Sequence, residues 1–391
     1  MSKFPQSDRL KSLPPYIFSE INAIKNEAQK KGVQLLSLAI GDPDLPTPEP
    51  ILKAFHRASL KPENHAYSPY EGTLAFRTAV AEWFQARFNA KLNPENEVIA
   101  LIGSKEGLAH FPLAFVNPGD RCLVPSPGYP IFSTSIQLAG GIPVPVPLKA
   151  QNAFLPDVTD LERLMVQHQP KYLLLNFPSN PTSATCSREL LTQIVTLAKR
   201  HNVILGYDNA YSEMYFDNKP ISLMEIPGAK EIGIEFHSFS KTFNMTGWRL
   251  GFAVGAPELV AGLARVKTNI DSGPLLTVQE AGIFALKNYE QLVAPLRDIY
   301  RERREICLKG LKELGIEYFK PEATFFVWAK VPKGKSSMTF TKELIAQEGL
   351  VVTPGIGFGE QGEGFFRLSL TVSNKSILEA LEKLRRYLAT V

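Results

Sequence analysis

Short apolar runs alternate along this chain with longer stretches in which apolar positions return every three or four residues. Between about Pro50 and Gly282 the runs are VIALI, RCLVP, KYLLLNF, NVILGY, IGIEFH and LGFAVG. Each is too short for a stable helix and mostly apolar throughout, the pattern of a strand covered on both sides. The stretches Leu74 to Phe88, Leu108 to Val116, Glu189 to Arg200 and Leu259 to Lys267 carry one apolar face each, as amphipathic helices do. Strands separated by such helices predict a mostly parallel sheet with helices on both faces.

The segment GGIPVPVPLKA departs from this pattern, because its closely spaced prolines lack amide donors; an edge strand or an irregular extension is expected there. Ahead of the sheet come a helix around Ser19 to Lys31, an extended VQLLSLAIG, and GDPDLPTPEP, Gly41 to Pro50. The prolines of that last segment restrict it to extended and turn conformations, as at a domain junction or in a long active-site loop. Beyond about Ala285 a long polar-sided helix, Leu292 to Leu314, precedes strands FFVWAK, LVVTPG and FFRLSL and helices near Thr339 to Gln347 and Ser376 to Leu388. The expected organisation is an α/β protein of two domains with a cleft between them. Residues 1–46 would form an arm and part of the small domain, 47–284 the large domain, and 285–391 the smaller α/β or α+β domain.

Composition narrows the partners. The 43 lysines and arginines against 39 acidic residues give a charge of only +4, without long basic blocks, so nucleic acid is not an expected partner. Cys122, Cys186 and Cys307 are far apart and odd in number, which suits neither a disulfide framework nor a metal cluster. The six histidines lack metal-ligand spacing, so no metal is expected. No apolar run approaches the roughly 20 residues that span a bilayer, and MSKFPQSDRLKSLPPYIF lacks the apolar core of a secretory signal. No membrane association and a cytoplasmic location are the expectations.

Reactive residue types gather at the carboxyl ends of the predicted strands, where open α/β sheets place their sites. IGSKEGLAH leaves a strand and opens a helix, so Ser104 and the Lys105 amide can hold an anion or simply cap the helix. Asn180 in NFPSNPTSA can aim a donor at a ligand oxygen or form an Asx turn. Asp208, directly after the apolar run VILGY, needs a cationic or hydrogen-bonding partner if buried, or else caps the next turn. Tyr211 can face the same place or pack as an ordinary aromatic. In EFHSFSKTFNMTGWRLG, Lys241 becomes a nucleophilic amine if neighbours and desolvation lower its pKa, and Arg249 offers a planar fork suited to phosphate. An amine nucleophile, an isolated carboxylate, an anion-binding helix start and a phosphate donor together suggest an aldehyde-bearing phosphate cofactor, and pyridoxal phosphate meets that description.

With these residues in hand the chain resembles the class I/II aminotransferases of the fold-type-I pyridoxal-phosphate family, with an aspartate-aminotransferase-like fold. Within the family it is most similar to the bacterial LL-diaminopimelate aminotransferases, on the phrases LPPYIF, IGDPDLPTP, IGSKEG, PLAFVNPGD, EFHSFSKTFNMTGWR, NIDSG and TPGIGFGEQGEGFFRLSL. The resemblance implies that Lys241 is the internal-aldimine lysine and Asp208 the partner of the pyridine nitrogen. It puts Asn180 and Tyr211 near the phenolic oxygen and Tyr129 over the ring. Ser104, the Lys105 amide, Ser238 and Arg249 would hold the phosphate, with Tyr67 reaching across a homodimer to the neighbour's phosphate. Arg367 would clamp the substrate carboxylate, helped by Asn180 and lined by Gly41. The implied reaction passes an amino group between an amino acid, LL-diaminopimelate in lysine biosynthesis foremost, and 2-oxoglutarate. Alanine, aspartate or aromatic donors, or a carbon-sulfur lyase, are the alternatives. Two departures stand out: Asn209 after the cofactor aspartate, and NPTSAT in place of the frequent NPTGA.

Overall fold

The computed structural model describes all residues except 1–3, 14–16, 31, 333 and 391, and omits the side chains of 17–20. Helix Ile17–Lys30 fills the first predicted helix, whose proposed end at Lys31 lies outside the described residues, as does part of the LPPYIF phrase. Strand β1 (Leu36–Ser37) follows. A seven-stranded sheet is then built from β2 (Val98–Leu101), β3 (Arg121–Ser126), β4 (Ile142–Pro147), β5 (Tyr172–Asn176), β6 (Ile204–Asp208), β7 (Gly233–Ser238) and β8 (Gly251–Gly255). Their spatial order is β2-β8-β7-β6-β5-β3-β4.

Only β8 runs against its neighbours; the other pairings are parallel. The reversal has a local cause. A parallel return needs a crossover of about a dozen residues or more that rises over the sheet, whereas segment 239–250 holds only the single helical turn Phe239–Thr242. The chain therefore comes straight back, pairing Gly251 with Ser238.

The proline-rich β4 is an edge strand, as its sequence predicted. The Ile142 amide donates to the Asp120 carbonyl and the Leu148 amide to that of Ser126, so even-numbered amides face β3. Pro143, Pro145 and Pro147 fall on the outward-facing positions, where a missing donor costs no ladder bond.

Helices cover both faces, and each face has its own core. Leu123, Leu173, Leu205, Tyr207 and Phe252 pack on one side, and Ile99, Leu101, Phe111, Ile234 and Phe236 on the other. The helix expected from Leu108 begins four residues earlier, at Ser104, because the turn of Gly103 at φ +79° releases the chain directly from β2 into the helix. Helices Glu49–Ser59, Ile131–Leu138, Val158–His168 and Leu276–Lys287 were not expected.

The smaller sheet is formed by β9 (Tyr318–Phe319), β10 (Phe326–Lys330), β12 (Thr353–Pro354) and β13 (Phe365–Ser369), in the order β12-β13-β10-β9. LVVTPG is not one strand but two. Leu350–Val351 is β11, parallel to β1, while Thr353–Pro354 joins β13 antiparallel. Both halves are fully buried, so the apolar run carried no sign of its division.

The GDPDLPTPEP loop ties the two sheets' surroundings together. Arg303, on helix Tyr289–Glu313, makes a bidentate pair with Asp44 at 2.7 and 2.8 Å, while the Thr47 hydroxyl donates to the Asn244 carbonyl at 2.7 Å.

Candidate active site

A cavity of about 630 Å³ opens at the carboxyl ends of β6 and β7 and is closed on its far side by residues of the smaller sheet. Lys241 reaches it from the turn after β7, whose second amide, that of Ser240, donates to the Ser238 hydroxyl at 3.2 Å. The Lys241 ammonium donates to the Gly41 carbonyl at 2.9 Å. Removal from water, opposed by Asp42 and reinforced by Arg249 and Arg367, brings its pKa down to about 8. The amine should therefore react with a carbonyl reagent with a pH midpoint near 8. Mass-spectrometric mapping of reductive labelling at residue 241 against pH checks this; a midpoint above 10 would contradict the assignment of a tuned amine.

The return of β8 explains why Arg249 belongs to the same site. With Ser238 opposite Gly251, residues just beyond one strand and just before the other lie side by side. Arg249 sits at φ +55° and donates to the Thr246 carbonyl at 2.9 Å, the Ile102 carbonyl at 3.2 Å and the Ser240 hydroxyl at 3.4 Å. Gly103 is favoured by its positive φ, and a side chain there would also displace this guanidinium from its place. The first amides of helix Ser104–Phe115 have no intrahelical acceptor. Together with Ser104, Ser238, Ser240 and Arg249 they line a cup suited to a dianion.

At the other end of the cavity Asp208, the last residue of β6, is buried. Among the described residues its carboxylate accepts one bond, from the Ala210 amide at 3.3 Å. Burial without a cation pushes its pKa up to about 7. Such a carboxylate is suited to a protonated ring nitrogen, which would return it to its ionised form.

Between these ends stand the aromatics. Tyr129 is half-buried and Tyr211 buried, and both phenols are pushed up, chiefly by burial. Arg367, on β13, is buried between the rings of Phe326 and Phe358, its guanidinium carbon 4.2 and 4.9 Å from their centres. It donates to the Asn180 side-chain oxygen at 2.6 Å and the Ala39 carbonyl at 2.6 Å. Asn180 is held in turn through its amide by Asn176. Gly41 lies against the Phe326 ring, and a Cβ there would come within 2.5 Å of it.

Lys241, Asp208, Asn180, Tyr129, Tyr211, Ser104, Lys105, Ser238, Arg249, Gly41 and Arg367 thus share one cavity. Tyr67 does not join them: it is 88% exposed and outside the cavity lining. The structure also adds Asp42, Phe326 and Phe358, places Ser240 beside Ser238 in the lining, and brings in Asn22 and Lys25 of helix Ile17–Lys30. Phe326 was hidden in the apolar run FFVWAK and Phe358 in the glycine-rich GIGFGEQG; Asp42 and Ser240 flank residues already singled out.

The family model for aminotransferase class I and II matches residues 33–384. The LL-diaminopimelate aminotransferase of Aquifex aeolicus is 52% identical over 98% of this chain and 99% of its own. That of Maridesulfovibrio salexigens is 50% identical over 99% and 100%. Among solved structures, substrate-bound BacF from Bacillus subtilis superposes with a TM-score of 0.93 at 34% identity, covering 99% of this chain and 98% of its own. A double mutant of Thermus thermophilus aspartate aminotransferase gives 0.93 at 30%, covering 98% and 99%. The chain therefore belongs to the class I and II aminotransferases, with their fold-type-I architecture of a large mixed α/β domain and a smaller α/β domain.

Proposed function

We propose that this transaminase exchanges an amino group between LL-2,6-diaminopimelate and 2-oxoglutarate, a step of lysine biosynthesis, using pyridoxal 5′-phosphate held around Lys241. The chemistry is carried by one observation: an amine of lowered basicity, a buried carboxylate without a cation and a basic, hydroxyl-lined cup line a single cavity. Substrate choice is supported by whole-length similarity to LL-diaminopimelate aminotransferases.

When bound, pyridoxal phosphate supplies an aldehyde for covalent capture of amines and a protonated ring that draws electrons from the captured carbon. The protein supplies the rest. Ser104, the Lys105 amide, Ser238 and Arg249 fix the phosphate, Asp208 keeps a proton on the ring nitrogen, and Tyr129 covers the ring and excludes water. Asn180 and Tyr211 donate toward the phenolic oxygen. Lys241 anchors the cofactor and, once displaced by substrate, takes the proton from the substrate α-carbon and redelivers it, acting as both base and acid. Arg367, with Asn180 and the Gly41 backbone beside it, binds the substrate α-carboxylate.

On this assignment the large domain, 47–284, holds the cofactor, while 285–391 together with 1–46 brings the carboxylate clamp. The exposed Tyr67 fits a homodimer in which it reaches the neighbour's phosphate. Arg367→Lys, which keeps the charge but loses the fork, should lower kcat/KM by roughly 10- to 100-fold, most of it in KM, the worth of a charge-assisted hydrogen bond. Steady-state kinetics check it; an unchanged KM would place the carboxylate elsewhere.

The deciding test supplies LL-diaminopimelate, alanine, aspartate, aromatic amino acids and cystathionine in parallel, with and without 2-oxoglutarate. Efficient transfer from another donor and none from LL-diaminopimelate would reject the substrate assignment. Release of pyruvate and ammonia from cystathionine without an acceptor would point to a lyase.

A further inference from the structure

Lys267 has no place in this chemistry, yet its side chain is fully buried at the end of helix Pro257–Lys267. A buried ammonium is costly unless it is paired and hydrogen-bonded. Its Nζ lies 2.8 Å from Glu106 Oε2 and 3.2 and 3.0 Å from the Asp271 carboxylate oxygens. Glu106, Asp271 and His110 bring donor atoms within 4.8 Å of one another, an arrangement that a cation could bridge. Here the lysine's own ammonium already lies between the two carboxylates.

What this cluster holds is the backbone behind the phosphate cup. The same Glu106 Oε2 accepts the Ile102 amide at 3.0 Å, and the Ile102 carbonyl accepts from Arg249 at 3.2 Å. The two peptides on either side of Ile102, directly ahead of Gly103 and Ser104, are thus fixed one by the Lys267–Glu106 pair and the other by the phosphate arginine. That carbonyl is one of three acceptors that orient the Arg249 guanidinium among the described residues, with the Thr246 carbonyl at 2.9 Å and the Ser240 hydroxyl at 3.4 Å, and both of the others take the same Nη1, so the Ile102 carbonyl alone holds Nη2. Asp271 carries the network onward, accepting the Gly273 amide at 2.8 Å.

We propose that Lys267 is a positioning residue for the cofactor phosphate, acting through Glu106 and the Ile102 peptides on Arg249 and the start of helix Ser104–Phe115. This rests on the reading that pyridoxal phosphate occupies the cup. It separates phosphate recognition from the rest of the site: losing the network should weaken ligands in proportion to their use of the phosphate.

The test measures binding of pyridoxal phosphate, inorganic phosphate and pyridoxal to the full-length apoenzyme, for wild type, Lys267→Met and Glu106→Gln. Lys267→Met should weaken pyridoxal phosphate and inorganic phosphate by the same factor, about tenfold or more, and leave pyridoxal, which lacks the phosphate, unchanged. Glu106→Gln keeps the packing and should show the same selective loss, so a poorly folding Lys267→Met would not remove the test. Equal weakening of pyridoxal and pyridoxal phosphate, or no change in any ligand, would overturn the proposal by reducing the cluster to a support of the fold. Wild type that fails to bind pyridoxal phosphate would overturn the proposed function as well, a result distinct from normal binding that the variants leave unaltered.

Discussion

Lys241→Ala will bind pyridoxal phosphate without becoming attached to it, and turnover will fall by at least about 10⁴-fold, since anchoring and both proton transfers are lost with one amine. Borohydride reduction should then attach no cofactor at residue 241, while the phosphate cup, built from other residues, still retains the ligand. A second signature lies in the apoenzyme. Because the folded pKa of Lys241 lies near 8, below its ordinary 10.5, the unfolded chain binds more protons between those values. Wild-type apoenzyme therefore gains stability as pH rises from about 8 to 10.5, and the variant should lose that gain. Thermal unfolding across this window reads it, and covalent attachment persisting in the variant would defeat the assignment.

Asp208→Asn carries the next largest effect, with opposite signs for activity and stability. Without a fixed negative charge the ring nitrogen is no longer held protonated, and kcat should fall roughly 10²- to 10³-fold, as when one preorganised electrostatic partner is removed. Apoenzyme stability should move the other way. The folded pKa of about 7 stands above the ordinary 3.8, so the folded state holds the extra proton and loses stability as pH rises from about 4 through 7. That shift corresponds to a loss on the order of 4 kcal/mol by pH 8, which the neutral asparagine avoids. Denaturant titrations of both apoenzymes at pH 5 and pH 8 check this: the wild type should weaken between them and the variant should not. A variant less stable than wild type at pH 8 would show that Asp208 has a cationic partner after all.

Asp208 was visible as a single letter because it ends an apolar strand, and Lys241 because it stands in the short link just after one, where a polar residue in a protein's interior calls for a reason. The parallel core was legible for the same cause: NVILGY and KYLLLNF have no polar face to turn outward. The antiparallel course of LGFAVG was not, because direction depends on the short link before it rather than on the strand's own composition. LVVTPG hid its division because both halves are buried, so polarity does not mark the change of sheet. Arg367 could be named only by resemblance. Its pairing with Asn180, 187 positions away, and its two flanking rings come from tertiary packing. Glu106 and Lys267 read as ordinary helix charges until folding brought them behind the cup.

The direct return from β7 to β8 also works as a gauge block. Lys241 and Arg249 stand at the two ends of one unbroken link, so its length sets the spacing between the proposed covalent anchor and the proposed phosphate arginine. A residue inserted among 243–248 would leave either strand intact and every reactive group present, yet shift the arginine against the lysine. Loops elsewhere on the surface can drift in length over time; on the proposed assignment this one is held to measure by a small molecule it does not enclose.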